Sequence, residues 1–303
     1  MDLSVELCGL RLDNPVIAAS GCFGYGQEMA EYFDINILGS FSFKGTTRNA
    51  RTGNPCPRIA ETPSGMLNAV GLQNPGIDHV IEHELPELSE IFSKKVIANI
   101  GGFSEDEYVE CCRRIDGCEQ VGLIELNISC PNVHNGGMSF GTCAGSAQSV
   151  VSRVKKAVTK PLLVKLSPNV TDITEIAAAC ETAGADGLVL INTLLGMRID
   201  LRRRRPLLAN TTGGLSGPAV FPVALAAVYR TASRVKIPIV GCGGISSADD
   251  VIEMMQAGAV AVEIGAAGLK DPLIFEKIIR ALPERAAALG FERLADAIGC
   301  CER

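Results

Sequence analysis

Short, nearly unbroken apolar runs alternate along this chain with longer stretches in which apolar residues recur every three or four positions. The short runs lie at 15–20, 37–44, 95–99, 123–127, 162–166, 187–192, 237–241 and 259–264. They lack an in–out alternation, which is the pattern of strands buried on both faces. The periodic stretches at 105–116, 146–158, 173–184, 219–235, 247–257 and 272–289 predict helices. Ser104 precedes Glu105-Asp106-Glu107, and Ser247 shortly precedes Asp249-Asp250, each an N-cap with an acidic first turn. Gly184 and Gly258 stand where helices should stop.

Eight strands in strict alternation with helices predict the α/β class and a closed parallel (β/α)8 barrel, the TIM barrel. An open, doubly wound sheet is the structural rival. The strand ends favour closure: they fall at Ser20, Lys44, Asn99, Asn127, Lys165 to Ser167, Asn192 and Gly241 to Gly244, and the eighth run leads into Gly265-Ala266-Ala267-Gly268. A barrel brings all of these to one face. Strands that merely stop at polar residues would explain the polarity, but not two lysines and three asparagines. No linker, shift of composition or internal repeat beyond the βα alternation divides the chain, so 1–303 is expected to be a single barrel domain with loops inserted over the C-terminal mouth. The connection 46–76 holds Pro55, Pro57, Pro63 and Pro75, shows no strong helical period, and exceeds the roughly 12–15 residues of a passive loop. It is expected to fold over the mouth and to carry Asn68-Ala69-Val70-Gly71-Leu72-Gln73-Asn74 there.

Hydrophobic residues make up 47% of the 303, enough for a large core, and with aromatics at 5% and no Trp that core must be aliphatic. The net charge of −6 argues against a basic nucleic-acid footprint. The one basic run, Arg202 to Arg205, reads as a solvated loop or a partner contact. Twelve irregularly spaced cysteines, some inside apolar runs (Cys180, Cys242), do not form a disulfide framework, and MDLSVELCGL does not resemble a signal peptide. A soluble protein of the reducing cytoplasm is expected. No apolar run reaches the roughly 18 residues of a membrane span.

The densest candidate chemistry follows the fourth strand, in Asn127-Ile128-Ser129-Cys130-Pro131-Asn132. An amide donates and accepts at once, so two asparagines can grip a planar imide or carboxylate. Cys130, with an ordinary thiol pKa of about 8.5, could accept a proton or attack carbon; the plainer alternative is an inert buried thiol. The glycine-rich stretch 135–141 could act as a lid. Lys44 and Lys165, at strand ends, need an anionic partner if buried, for which a reduced flavin is suited, or else snorkel to water. Gly241-Cys242-Gly243-Gly244-Ile245 and Gly265-Ala266-Ala267-Gly268 fall in the seventh and eighth loops, the usual phosphate position of a barrel, although glycines also serve tight turns. His79 and His83 stand at i, i+4 without further ligands at matching spacing, so no metal site is expected. The adjacent pairs Cys111-Cys112 and Cys300-Cys301 suit neither a redox Cys-x-x-Cys nor a cluster, and no strand–GxGxxG–helix unit is present.

Over residues 3–298 the chain resembles the dihydroorotate dehydrogenases. The likeness is carried by Ala19-Ser20-Gly21-Cys22-Phe23-Gly24, Asn68 to Gly76, Asn127 to Asn132, Val164-Lys165-Leu166-Ser167-Pro168, Ile191-Asn192-Thr193 and Thr212 to Ala219. Within that family a cysteine at the position of Cys130 marks the soluble class 1, and Val133 to Gly141 resembles class 1B, the NAD-linked catalytic subunit. The resemblance implies that Cys130 takes a proton from C5 of dihydroorotate while a hydride passes from C6 to FMN. It implies that Asn68, Asn127, Asn132, Asn192, Thr193 and Lys44, with the backbone of Asn68, Ala69, Val70, Gly71 and Leu72, hold the substrate. FMN, one per chain, would contact Ser20, Lys44, Gly45, Asn99, Asn127, Lys165, Ile191, Gly217, Gly243, Gly244, Gly265 and Ala266. Ala266 departs from the family's usual Thr, which removes a hydroxyl donor and leaves the backbone N–H. The resemblance further implies an electron-transfer subunit carrying FAD and a [2Fe–2S] cluster, in a heterotetramer built on a homodimer of this chain. Alternatives are a fumarate-reducing class 1A-like enzyme, another pyrimidine-specific flavin oxidoreductase, or a non-catalytic scaffold that keeps the barrel.

Overall fold

The computed structural model describes residues 1–129 and 140–302. All eight expected strands form: Val16–Ala18, Ser40–Phe41, Val96–Ile100, Val121–Asn127, Leu162–Lys165, Gly187–Leu190, Ile239–Cys242 and Ala261–Ile264. They are numbered first to eighth below. Each pairs in parallel with its neighbour in sequence, from the third (Ala98↔Ile124) to the eighth, and the eighth pairs with the first (Val262↔Val16). The first pairs with the second (Ile17↔Ser40), and parallel bridges Ser42↔Ile97 and Thr46↔Ile100 join the second to the third. The sheet therefore closes into a (β/α)8 barrel.

The second strand is shorter than its apolar run suggests. Asp34 accepts from the Asn36 N–H and starts a 3-10 turn, Ile35–Ile37, so regular pairing begins only at Ser40. The helices Glu105–Asp116, Ala144–Lys155, Ile173–Thr182, Phe221–Ala232, Ala248–Gln256 and Ile274–Ala288 match the periodic stretches within a few residues. Ser104 Oγ accepts from the Glu107 N–H at 3.2 Å and Ser247 Oγ from that of Asp250 at 3.1 Å, as capping demands. Helix faces and strands enclose a core that is mainly aliphatic, with Ile17, Ile97, Leu123, Leu163 and Val189 wholly buried, but not purely so: Phe23, Phe33, Phe41, Phe92 and Phe275 pack ring against ring within it.

Two features were not read from the sequence. The hairpin Val5–Leu7 with Leu10–Leu12 lies under the N-terminal ends of the strands, where Cys8 Sγ meets the Asp186 carbonyl at 3.3 Å. The connection 46–76 is not structureless: it folds a second hairpin, Ile59–Thr62 with Gly65–Asn68. That hairpin pairs antiparallel with Gly213–Ser216, which pairs in turn with Leu194–Gly196. These strands have no local signal because half of this sheet comes from residues some 150 positions later, a contact with no local periodicity. The expected placement is met, since the Leu72 side chain lies 3.2 Å from where a Cβ on either Gly45 or Gly101 would stand, beside the ends of the second and third strands. Arg202 to Arg205 are exposed at the turn of a small hairpin, Ile199–Asp200 with Arg205–Pro206.

Candidate active site

The mouth is built from polar residues at or just past the C-terminal ends of the strands. Asn127 closes the fourth strand, and its carbonyl accepts from the Tyr108 hydroxyl at 2.7 Å. Its Oδ1 accepts from Ser129 N–H at 3.3 Å, Ser129 Oγ at 2.8 Å and Asn192 Nδ2 at 3.4 Å. Asn192 Nδ2 also donates to Ser129 Oγ at 2.5 Å. Asn192 is held by its own N–H, which donates to the Leu166 carbonyl at 2.9 Å, while Ile191 N–H donates to the Cys242 carbonyl at 2.7 Å. Thr193 N–H donates to Asn192 Oδ1 at 2.8 Å. Asn127, Ile191, Asn192 and Thr193, singled out in the sequence, are thus brought together. Ser129 and Tyr108, which were not, hold them. Ser129 stood in the motif without an assigned role, and nothing in the sequence ties Tyr108 to position 127.

Asn68 ends the second hairpin, opposite Gly214. The carbonyls of Ala69, Val70, Gly71 and Leu72 already accept from Asn54 Nδ2, Asn54 N–H, Arg51 Nε and Asn74 Nδ2. Gly71 and Leu72 both have positive φ, +80° and +55°. The loop is therefore fixed by its own bonds.

Below the amides lies a charged layer that sequence reading only half found. Lys165 is 5% exposed, Glu263 1% and Glu125 0%. Lys165 Nζ lies 2.5 Å from Glu263 Oε2 and 3.3 Å from Glu125 Oε1. Glu125 also accepts from Asn99 Nδ2 at 2.5 Å and Ser42 Oγ at 3.1 Å. The anionic partner expected for a buried lysine is thus supplied first by the protein itself. Burial pushes the Glu125 carboxyl up, but the Lys165 charge and the hydrogen bonds from Ser42 and Asn99 outweigh it and hold the pKa below the usual range. Burial and the Glu125 charge raise Glu263 well above that range. Burial disfavours the Lys165 ammonium, yet the two glutamates hold it well above its ordinary value. The available signal was a lone glutamate in each of two otherwise apolar strands.

The remaining expected residues ring this layer. Ser20 Oγ donates to the Phe43 carbonyl at 2.7 Å, and half-buried Lys44 reaches within 3.7 Å of a Cβ position on Gly21. A Cβ on Gly45 would stand 2.8 Å from Asn99 Oδ1. Gly217 packs its Cβ position 2.6 Å from the Gly65 Cα, and a Cβ on Gly244 would meet the Phe221 backbone at 2.5 Å. Gly243 has φ +130° and Gly244 φ +76°. Gly265 leads into the short helix Ala266–Lys270. Cys22, beside Gly265, also faces this region, and burial pushes its thiol up. Cys130, Asn132 and most of the glycine-rich stretch lie outside the described residues. The rings of His79 and His83 lie tilted by 40° with centroids 4.6 Å apart, and among the described residues no cluster of three metal-ligating side chains occurs.

A (β/α)8 barrel whose strand ends gather amides, hydroxyls and an ammonium at one mouth has the arrangement of a barrel enzyme. Sequence comparison narrows the class. A model of the dihydroorotate dehydrogenase family matches residues 2–286, and the chain belongs to that family. A protein of Halalkalibacterium halodurans named dihydroorotate dehydrogenase B (NAD(+)), catalytic subunit, is 54% identical over 297 residues, covering 98% of this chain and 97% of its own. Proteins of the same name from Listeria monocytogenes (54% over 294 residues, 97% and 96% coverage) and Enterococcus faecalis (54% over 296 residues, 98% and 95% coverage) are similarly related.

Proposed function

We propose that this chain is the catalytic subunit of an NAD-linked dihydroorotate dehydrogenase, which oxidises (S)-dihydroorotate to orotate in pyrimidine biosynthesis. The observation that carries this reading is the Asn127–Ser129–Asn192 amide cluster set over a buried lysine, in a chain related to such catalytic subunits over nearly its whole length. Amides, which both donate and accept, suit the imide of a pyrimidine ring, and Lys44 suits its carboxylate.

The residues present also fit FMN. Asn99 Oδ1 is buried without a donor, beside a glycine that leaves the space above it open. Gly243 and Gly244 present bare backbone in the seventh loop, ahead of the capped helix Ala248–Gln256. Ser20, Lys44, Gly45, Asn99, Asn127, Lys165, Ile191, Gly217, Gly243, Gly244, Gly265 and Ala266 would hold one FMN, which when bound accepts the hydride leaving C6. Asn68, Asn127, Asn132, Asn192 and Thr193 would fix the ring. Cys130 would take the C5 proton, so that the two C–H bonds break and a C5=C6 double bond forms.

A relative named as a catalytic subunit supports a second subunit here too. We assign FAD and a [2Fe–2S] cluster to that partner, on a homodimer of this chain, with NAD as the final acceptor. A single domain over 1–303 and a cytoplasmic location complete the reading; no helix among the described residues is long and apolar enough to cross a membrane. The test is spectroscopic. Protein supplied with FMN should be yellow and should bleach on anaerobic addition of dihydroorotate. A protein that binds no FMN, or binds it and stays yellow, overturns the assignment. Rapid fumarate reduction by the chain alone would replace NAD as the acceptor.

A further inference from the structure

Two carboxyl groups and one ammonium are sealed inside the barrel, and their charges do not balance. Glu125 on the fourth strand, Lys165 on the fifth and Glu263 on the eighth are each at least nine-tenths buried. If both glutamates were ionised, this dry layer would carry a net charge of −1, and an uncompensated buried carboxylate is among the costliest things a fold can hold. Among the described residues, the only ion pair that either carboxyl makes is with Lys165. The thiols of Cys22 and Cys242 also act on Glu263, both raised by burial and therefore neutral, while half-buried Lys44 lies beside Gly21.

Hydrogen bonding says which carboxyl is short of charge. Glu125 accepts from Asn99 and Ser42 as well as facing Lys165, so its oxygens are satisfied as a carboxylate. Glu263 Oε2 meets Lys165, but Glu263 Oε1 is buried and finds no donor. Both carboxyl groups reach the same Lys165 Nζ, at 2.5 and 3.3 Å, so two ionised carboxylates would repel each other across one ammonium, and a proton on one of them removes that repulsion.

We propose that Glu263 is a positioning residue that keeps its proton at neutral pH: it holds the Lys165 ammonium under the mouth without adding a second negative charge to the layer. The consequence rests on the flavin reading above. A cofactor that gains negative charge on reduction is stabilised by Lys165 paired with one carboxylate, and would be opposed by a layer holding two. A single shared proton also makes the two glutamates electrically equivalent to lose. Glu125→Gln or Glu263→Gln alone leaves one ammonium and one carboxylate, because the surviving glutamate ionises. Only the double variant changes the net charge, to +1.

The first experiment needs no cofactor. Infrared difference spectroscopy and 13C NMR of the apoprotein, labelled at glutamate Cδ, should show one protonated carboxyl group at pH 7, lost in Glu263→Gln and also in Glu125→Gln. Absence of that signal from the wild-type chain overturns the proposal whatever the flavin does, and it needs no variant to fold. The second experiment compares the affinities for oxidised and reduced FMN. Their ratio should stay within about threefold of wild type in each single variant and shift at least tenfold toward the reduced form in Glu125→Gln/Glu263→Gln. A tenfold shift in Glu263→Gln alone would mean that both carboxyls were ionised. A protein that shows the carboxyl signal and binds no FMN would uphold the proton on Glu263 and sink the flavin reading instead.

Discussion

At the scale of single residues, the mouth is a set of polar groups that already satisfy one another. Asn127, Ser129 and Asn192 form a closed ring of hydrogen bonds before any ligand arrives, which fixes their rotamers. Chemistry is assigned to Cys130, and replacing it tests the assignment. Cys130→Ser should lower kcat for dihydroorotate oxidation at least roughly 10²-fold at neutral pH, because a hydroxyl is a far weaker base than a thiolate. FMN content, read by absorbance, should not change. Gly244 tests the cradle: Gly244→Ala forces a Cβ into the Phe221 backbone at a positive φ. The variant should lose about 1–3 kcal/mol of stability in urea titrations and bind FMN more weakly. The asparagines and lysines were legible in the sequence because each interrupts an apolar run at its end. Tyr108 and Glu263 were not, since their partners are distant in the chain and an isolated polar residue in a strand has no local signature.

Elements carry a second layer of information. Caps were readable in advance because they depend on neighbours three or four residues away, and both anticipated N-caps are made. The helix Ala248–Gln256 shows why this matters for the site. Ser247 accepts from Asp250 N–H while Asp250 accepts from Ser246 N–H and Oγ, so the cap secures the segment that follows Gly243-Gly244. Ser247→Ala should cost about 1 kcal/mol in equilibrium unfolding and speed FMN release by a few-fold in stopped-flow measurements. By contrast, the four-stranded sheet over the mouth was missed. Gly65–Asn68 looks like loop until Gly213–Ser216 arrives to pair with it, and β pairing of that separation leaves no periodic trace.

For the whole molecule, stability and chemistry occupy opposite ends of the barrel. The hairpin Val5–Leu12 closes the bottom, where Leu7 and Leu12 are buried. Leu7→Ala should cost about 2–5 kcal/mol in urea titrations while kcat per bound flavin stays at the wild-type value. The pH dependence is also a property of the assembled barrel. Glu125 and Asp116 have lowered pKa values, so their contributions are present above about pH 4.5 and 3.8 and are lost as pH falls through the lower folded values. Glu263 has the opposite sign: its contribution is complete below 4.5 and is lost as pH rises toward its raised folded pKa. In that window the wild type should lose up to about 1.4 kcal/mol per pH unit relative to Glu263→Gln. Urea midpoints of the two proteins between pH 4.5 and 8 would check this, and parallel curves would contradict it.

From its sequence alone this chain determined the barrel, the helix caps and the polar strand ends, because those follow from periodicities of a few residues and from the turn chemistry beside them. Even the lysine at 165 announced itself as a charge without a neighbour. What only the tertiary structure decided is which groups answer one another across the barrel: that Glu125 and Glu263 come from strands about 140 residues apart to share one ammonium, and that two remote hairpins cover top and bottom. The reason is physical. A helix or strand is specified by neighbours in the chain, whereas the charge state of a buried carboxyl is set by whatever the closed sheet places within a few ångströms of it.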